Sequence, residues 1–298
     1  MRQVMFSGTY TALVTPFTKA GRIDTARLRD LVEFQIANGI DGLVPVGTTG
    51  ESPTLSHQEH NHVIELVVKF AAGRCKIIAG TGSNCTDEAI AMTQHAKAVG
   101  ADASLQVAPY YNKPTQAGLY AHFRTIAEAA ELPILIYNIP GRCGVDVAND
   151  TIARLRRDLP ALVVGLKEAT GNVDRVSQIR ALVDEGFSIL SGDDSLTLPM
   201  MAVGAVGVIS VASNIAPREV SEMVRAARNN DFAKAGQLHA KLFPLFKDLF
   251  IETNPIPIKA ALAMAGRIEE SYRLPLVPMA EHNRNQLKKT LAALGLVP

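Results

Sequence analysis

Val163-Val164-Gly165-Leu166-Lys167-Glu168-Ala169-Thr170-Gly171 drives an apolar run into a lysine and closes it with a Thr-Gly turn. A short apolar run bounded by turn residues reads as a strand buried on both faces, the kind that parallel sheets use. An unpaired ammonium is costly to bury. Lys167 must therefore pair with a carboxylate at the strand tip, or lower its pKa and become a free amine part of the time. A free amine at a strand end attacks carbonyl carbon.

The same unit of apolar run, turn and helix recurs on both sides of this stretch. Strands are expected at Thr9–Thr15, Asp41–Val46, Lys76–Ala79, Ala103–Ala108 and Ile134–Tyr137, then at the run ending in Lys167, at Ser188–Leu190 and at Val206–Val211. Asp24 caps a helix that stops at Asn38-Gly39, and further helices are expected at Ser56–Ala72, Thr86–Val99 and Thr115–Ala130. The fragment Gly39-Ile40-Asp41 returns loosely as Gly100-Ala101-Asp102, each time between a helix and a strand. Alternation of this kind forces parallel pairing and right-handed crossovers, so the expected fold is α/β, a (β/α)8 TIM barrel. An open doubly wound sheet would carry a glycine-rich fingerprint after its first strand, and Pro16-Phe17-Thr18 is not one. Beyond Pro217 the pattern is helical only, at about Asp231–Phe250, Pro257–Ala265 and Ala280–Leu294. We therefore expect a catalytic barrel over 1–230 and a small C-terminal helical domain over 231–298.

Thirty basic residues against 29 acidic ones give a net charge of +1, with no basic tail, so nothing recruits nucleic acid or an anionic membrane. No apolar run is long enough to span a bilayer, and Met1–Phe6 lacks the apolar core of a signal peptide. Cys75, Cys85 and Cys143 are odd in number and far apart, neither a disulfide framework nor a zinc pattern. The expectation is a reducing, cytoplasmic protein.

A barrel gathers its chemistry at the C-terminal ends of its strands. Those ends hold Thr48, Thr49, Asn84, Tyr110, Tyr111, Tyr137, Arg142 and Lys167, with three of the six tyrosines among them. No strand ends in histidine, and His57, His60 and His62 fall on a helix, which points away from a metal site. Gly47-Thr48-Thr49-Gly50-Glu51 lacks the Lys-Ser/Thr ending of a phosphate loop, and Asp193-Asp194 occupies the place where barrels often hold phosphate. What remains is one lysine with several hydroxyls. At pH 7 only about one free lysine in 2,500 is neutral, and desolvation raises that fraction. A phenol nearby can move protons on and off a carbinolamine. This is the equipment of an imine-forming aldolase that needs no metal or other cofactor.

Four motifs in order carry a resemblance: Gly47-Thr48-Thr49-Gly50-Glu51, Pro109-Tyr110-Tyr111-Asn112, Tyr137-Asn138-Ile139-Pro140-Gly141-Arg142 and Gly165–Gly171. Together they resemble the dihydrodipicolinate synthase (4-hydroxy-tetrahydrodipicolinate synthase) family of pyruvate-dependent lyases. The resemblance implies condensation of pyruvate with L-aspartate 4-semialdehyde, on the route to diaminopimelate and lysine, by a homotetramer built as a dimer of dimers. It implies that Lys167 forms the pyruvate imine and that Tyr137 donates protons. Thr48 and a Tyr111 from a neighbouring subunit complete the relay. Thr49 and the backbone of Ile209 hold the pyruvate carboxylate, and Arg142 receives the semialdehyde carboxylate. Cys143 stands where the family more often has threonine, and a thiol is the poorer hydrogen-bond partner. Ser52, His57, His60, Asn84, Glu88 and Tyr110 resemble the lysine-binding cleft of the lysine-inhibited members. The competing readings are a sister lyase cleaving N-acetylneuraminate or a 2-keto-3-deoxy sugar acid, and a non-catalytic sensor of pyruvate or an amino acid. The sister lyase would not need Arg142 or the Tyr110-Tyr111 pair, and a sensor would need no relay of Lys167, Tyr137, Thr48 and Tyr111.

Overall fold

The structure is a computed structural model that describes residues 4–297; the first three residues of Met1–Phe6, read above for a leader, lie outside the described residues. Eight parallel strands close into a barrel in sequence order: β1 Gly8–Ala12, β2 Gly42–Val44, β3 Lys76–Gly80, β4 Ala103–Val107, β5 Ile134–Asn138, β6 Val163–Glu168, β7 Ser188–Ser191 and β8 Gly207–Ser210. Helices α1 Thr25–Ala37, α2 His57–Ala71, α3 Thr86–Ala98 and α4 Gln116–Ala130 follow the first four strands. The short α5 Pro140–Cys143 precedes α6 Asn149–Asp158, and α7 Val173–Arg180, α8 Thr197–Ala202 and α9 Pro217–Arg228 complete the ring. Three further helices, α10 Phe232–Asp248, α11 Ile256–Met264 and α12 Glu281–Ala293, form the C-terminal extension.

The strands read as apolar runs because both of their faces are covered. Tyr10, Val44, Ile78, Leu105, Leu135, Val164, Leu190 and Ile209 fill the barrel interior. Outside it, one layer packs α4 and α6 to α8 against β5 to β7. A second, continuous layer joins α1, α2 and α9 to the C-terminal helices through Leu245, Phe246, Ile258, Leu262 and Leu287. The turn between α9 and α10 contains the expected 230/231 division, and the core runs across it.

The loosely repeated Gly-x-Asp fragments do the same work twice. Gly39 and Gly100 turn the chain with φ of +77° and +96°, a region that favours glycine. Asp41 then accepts a hydrogen bond from the Thr9 N–H, and Asp102 accepts one from the Ile77 N–H, each at 2.8 Å. Each aspartate thus locks the strand before its own at the N-terminal rim.

Several strand limits need correction; the second strand stops at Val44 and the eighth at Ser210, short of the expected Val46 and Val211. The first strand ends at Ala12, because Leu13–Thr15 already belong to the loop at the barrel mouth. The fourth ends at Val107, so Tyr110 and Tyr111 lie on the loop beyond it rather than at a strand end. Tyr111 and Lys113 adopt φ of +71° and +44° there, which takes the backbone out of strand geometry.

Candidate active site

Lys167 and Tyr137 are register partners on adjacent strands. They project into the same end of the barrel, where the Lys167 ammonium nitrogen sits 4.2 Å from the centre of the Tyr137 ring. Lys167 is only 6% exposed. Desolvation brings its pKa down from 10.5 to about 7, a shift that Asp194 opposes and Arg142 reinforces. At pH 7 far more of this lysine is therefore a free amine than in a solvent-exposed one. Gly192 makes room for it: a Cβ there would lie 3.1 Å from Lys167 Cε and 2.7 Å from Ala169 Cβ.

Burial pushes the Tyr137 phenol up to about 12, while Arg142 and a hydrogen bond with the Thr48 side chain pull the other way. The phenol is therefore protonated at neutral pH and available as a donor. Thr48 stands on the β2–α2 loop. Thr49 beside it is buried, and its hydroxyl accepts a hydrogen bond from Asn254 Nδ2 at 2.9 Å. Arg142 lies on α5, where its guanidinium donates to the Asn254 carbonyl at 3.2 Å. Cys143 is turned into the core, with its thiol pushed up to about 11 by burial, and Asn254 supplies the hold on Arg142. Ile209 is fully buried in the barrel interior, paired in register with Tyr10.

The two acids expected to repel phosphate are already engaged. Asp193 accepts hydrogen bonds from Ser195 and Leu196 of its own turn. Asp194, 2% exposed, accepts from Ser210 Oγ and from the N–H groups of Val211 and Ala212. Burial nevertheless raises Asp194 to about 6. Its negative charge opposes the desolvation of Lys167 through space, but its oxygens are bonded to Ser210, Val211 and Ala212 rather than to the lysine, so of the two outcomes raised by the sequence it is the lowered pKa that the structure favours.

A cavity of about 420 Å³ opens in front of Tyr137, walled by Thr48, Ile139, Arg142 and Cys143 on one side and by Ser52, His57, His60, Glu88 and Tyr110 on the other. Lys167 is not in its wall, but lies against the ring of Tyr137, which is. The structure thus brings Thr48, Tyr137 and five of the six expected lysine-cleft residues to one opening, whereas Tyr111 and Asn84 do not line it. Tyr111 is 90% exposed in the single chain. His60 departs from a surface helix position: it is 3% exposed, its Nε2 meets the Gly80 carbonyl at 2.9 Å, and burial lowers it to about 4. His60 is therefore neutral at physiological pH. Glu88 accepts a hydrogen bond from Ser83 at 2.8 Å and lies 3.9 Å from His57. Asn84 donates to the Tyr110 carbonyl at 3.2 Å, which ties the cleft to the tyrosine loop.

Three elements of the site escaped the motif reading. Asn254 bridges Thr49 and Arg142 from the C-terminal extension. Glu51, in the first motif, pairs with Lys259, and both side chains are fully buried. Arg175 ties Glu168 to Asp146 on the outer side of β5 and β6. A signal for the second existed in Ile256-Pro257-Ile258-Lys259-Ala260-Ala261-Leu262, another lysine inside an apolar run. Among the described residues no three His, Cys, Asp or Glu gather as a metal-binding group, and no helix is long and apolar enough to cross a membrane.

The family model for the dihydrodipicolinate synthetase family matches residues 5–294. A 4-hydroxy-tetrahydrodipicolinate synthase from Aquifex aeolicus is 54% identical over 292 residues, 98% of this chain and 99% of that protein. The crystal structure of the dihydrodipicolinate synthase from A. aeolicus superposes with a TM-score of 0.96 over 98% of this chain and 99% of that one. A chloride-inhibited dihydrodipicolinate synthase from Acinetobacter baumannii complexed with pyruvate is 47% identical, with a TM-score of 0.95 over 98% and 99% of the two chains. A synthase of this kind from Cyanidioschyzon merolae with lysine bound is 41% identical, with a TM-score of 0.96 over 99% and 100%. A barrel with a lysine of lowered pKa beside a buried phenol, matched along nearly its whole length, makes this chain an enzyme of the dihydrodipicolinate synthetase family.

Proposed function

We propose that this enzyme is a 4-hydroxy-tetrahydrodipicolinate synthase that joins pyruvate to L-aspartate 4-semialdehyde through an imine on Lys167. The observation that carries the reading is the buried Lys167, brought to about 7 and set against the Tyr137 ring. The neutral amine adds to C2 of pyruvate, and the carbinolamine loses water with protons supplied through Tyr137. Loss of a methyl proton turns the imine into an enamine, whose carbon attacks the aldehyde of the semialdehyde. The amino group of that second substrate then closes on C2 and displaces Lys167. Each step moves protons, and a protonated phenol near the Thr48 hydroxyl suits that traffic.

In this reading Thr49 and the Ile209 backbone hold the pyruvate carboxylate. Arg142, at the cavity wall, takes the carboxylate of the semialdehyde, for which a guanidinium is the best-matched partner. Tyr111 comes from a second copy in a homotetramer, which its exposure supports. Lysine, the end product of the pathway, binds among Ser52, His57, His60, Asn84, Glu88 and Tyr110; the lysine-bound relative supports this. The reaction requires no metal, and the enzyme works in the cytoplasm.

The test is turnover of pyruvate with aspartate semialdehyde, followed by a coupled reductase, alongside N-acetylneuraminate and a 2-keto-3-deoxy sugar acid as rival substrates. Turnover of the first pair alone is expected. Cleavage of a rival substrate without condensation would replace the reading with a sister lyase; pyruvate binding without turnover of any of them would replace it with a sensor.

A further inference from the structure

The β2–α2 loop that presents Thr48 and Thr49 is bracketed by Val46 and Glu51, two non-glycine residues with φ of +49° and +56°. Backbone of this kind persists only where surrounding contacts hold it. On one side Thr15 Oγ1 donates to the Gly50 carbonyl at 2.7 Å. On the other, the Glu51 carboxylate is tied to Lys259 of α11, 208 positions further along the chain. Neither side chain has any exposure. The second Glu51 oxygen accepts from the Arg273 N–H at 3.4 Å, and the Lys259 ammonium lies 4.2 Å from the centre of the Phe17 ring. Five residues before Lys259, Asn254 holds Thr49 by its amide and Arg142 by its carbonyl.

A buried ion pair adds little stability over a well-packed apolar pair, yet leaves either charge costly to keep when its partner is removed. Its advantage is geometric, since a carboxylate bonded to an ammonium admits few placements. We propose that Glu51 and Lys259 are positioning residues through which α11 holds the β2–α2 loop in register with Tyr137, so that the C-terminal extension sets the relay geometry without touching substrate. This rests on the reading of Lys167, Tyr137 and Thr48 given above.

The experiment compares three variants with wild type: Glu51→Ala/Lys259→Met, which removes both charges; Glu51→Gln, which keeps shape and an oxygen for Lys259; and Arg156→Met, which breaks a pair with Asp184 elsewhere in the barrel. Borohydride trapping reads the pyruvate imine, steady-state kinetics read kcat and KM, and melting reads stability. The double variant should trap pyruvate fully while kcat falls roughly tenfold or more, the scale expected when a catalytic group is misplaced by a fraction of an ångström. Glu51→Gln should recover part of that loss, and should show the same split even where the double variant fails to fold. Arg156→Met should melt earlier with kcat per folded subunit unchanged. Wild-type kcat in the double variant or Glu51→Gln overturns the inference, as does imine and turnover falling together with the folded fraction. Failure of wild type itself to trap pyruvate overturns the reading of the site and this inference with it, and is told apart because no variant is needed to see it.

Discussion

In the proposed reaction Lys167 acts through its protonation state, which desolvation and the charge of Asp194 push in opposite directions. With a folded value of about 7, imine formation should rise across neutral pH and level off once the amine is free. Asp194 raises the lysine's pKa, so Asp194→Asn should move this acid limb to lower pH, read by borohydride trapping across a pH series. A limb left in place or moved upward would contradict the assignment of Asp194 as the charge that opposes desolvation of the lysine. Lys167→Ala and Lys167→Arg should both abolish trapping, the second because a guanidinium stays protonated. The same shift bears on stability. The unfolded lysine titrates near 10.5 and the folded one near 7, so the native state sheds its proton first. The penalty for burying the charge is fully present below pH 7 and fades as pH rises between those values.

At the scale of elements, the strand ends of β5 and β6 each send one residue inward and the next outward. Tyr137 and Lys167 face the site; Asn138 and Glu168, paired in register, face out. Glu168 is fully buried and accepts from Arg175 Nε at 3.1 Å, while Arg175 also reaches Asp146 at 2.9 Å. Asn138 Nδ2 donates to the same Asp146 at 2.7 Å. Arg175→Met leaves Glu168 buried without its cation, which costs roughly 3–5 kcal/mol. A denaturant midpoint unchanged in Arg175→Met would show the clamp to be idle. The loop element α5 carries a separate prediction. Arg142→Ala should raise KM for the semialdehyde strongly while leaving pyruvate trapping intact, and equal loss of both would remove Arg142 from second-substrate binding.

The whole molecule raises the question of Tyr111. An exposed tyrosine held at a left-handed φ is a poor use of a side chain unless something else receives it. Activity should therefore fall as the assembly dissociates, with Tyr111→Phe reducing kcat and leaving the imine in place. A monomer with full kcat in sedimentation would refute the shared relay. The cleft behind Tyr110 makes the last prediction. Lysine titrated at saturating pyruvate should inhibit partially, and Glu88→Ala should abolish the inhibition with turnover kept. His60 is neutral and hydrogen-bonded to Gly80, so it serves as a wall rather than a cation, and inhibition should not track its titration. Activity unaffected by high millimolar lysine would remove the regulatory role.

Much of this protein was legible along the chain. Strands covered on both faces must be apolar, and helices of a barrel must alternate with them, so the eightfold repeat and the lysine one residue before the end of its sixth strand could be read directly. The ordered motifs around Thr48, Tyr137, Arg142 and Lys167 were local and equally plain. The C-terminal limits of β1 and β4 were not, because apolar residues continue into loops that pack against the barrel mouth. Nor could the chain order show that Asn254 reaches Thr49 across 205 residues, or that Glu51 meets Lys259. Asp194 was visible as an acid, but its effect on the charge of Lys167 was not. Burial, charge pairing and the pKa values that follow are sums over neighbours brought together by folding, and no local pattern encodes them. The residues proposed for the chemistry were therefore written in the sequence, whereas their protonation states and the contacts holding them came from the closed barrel and the helices packed on it.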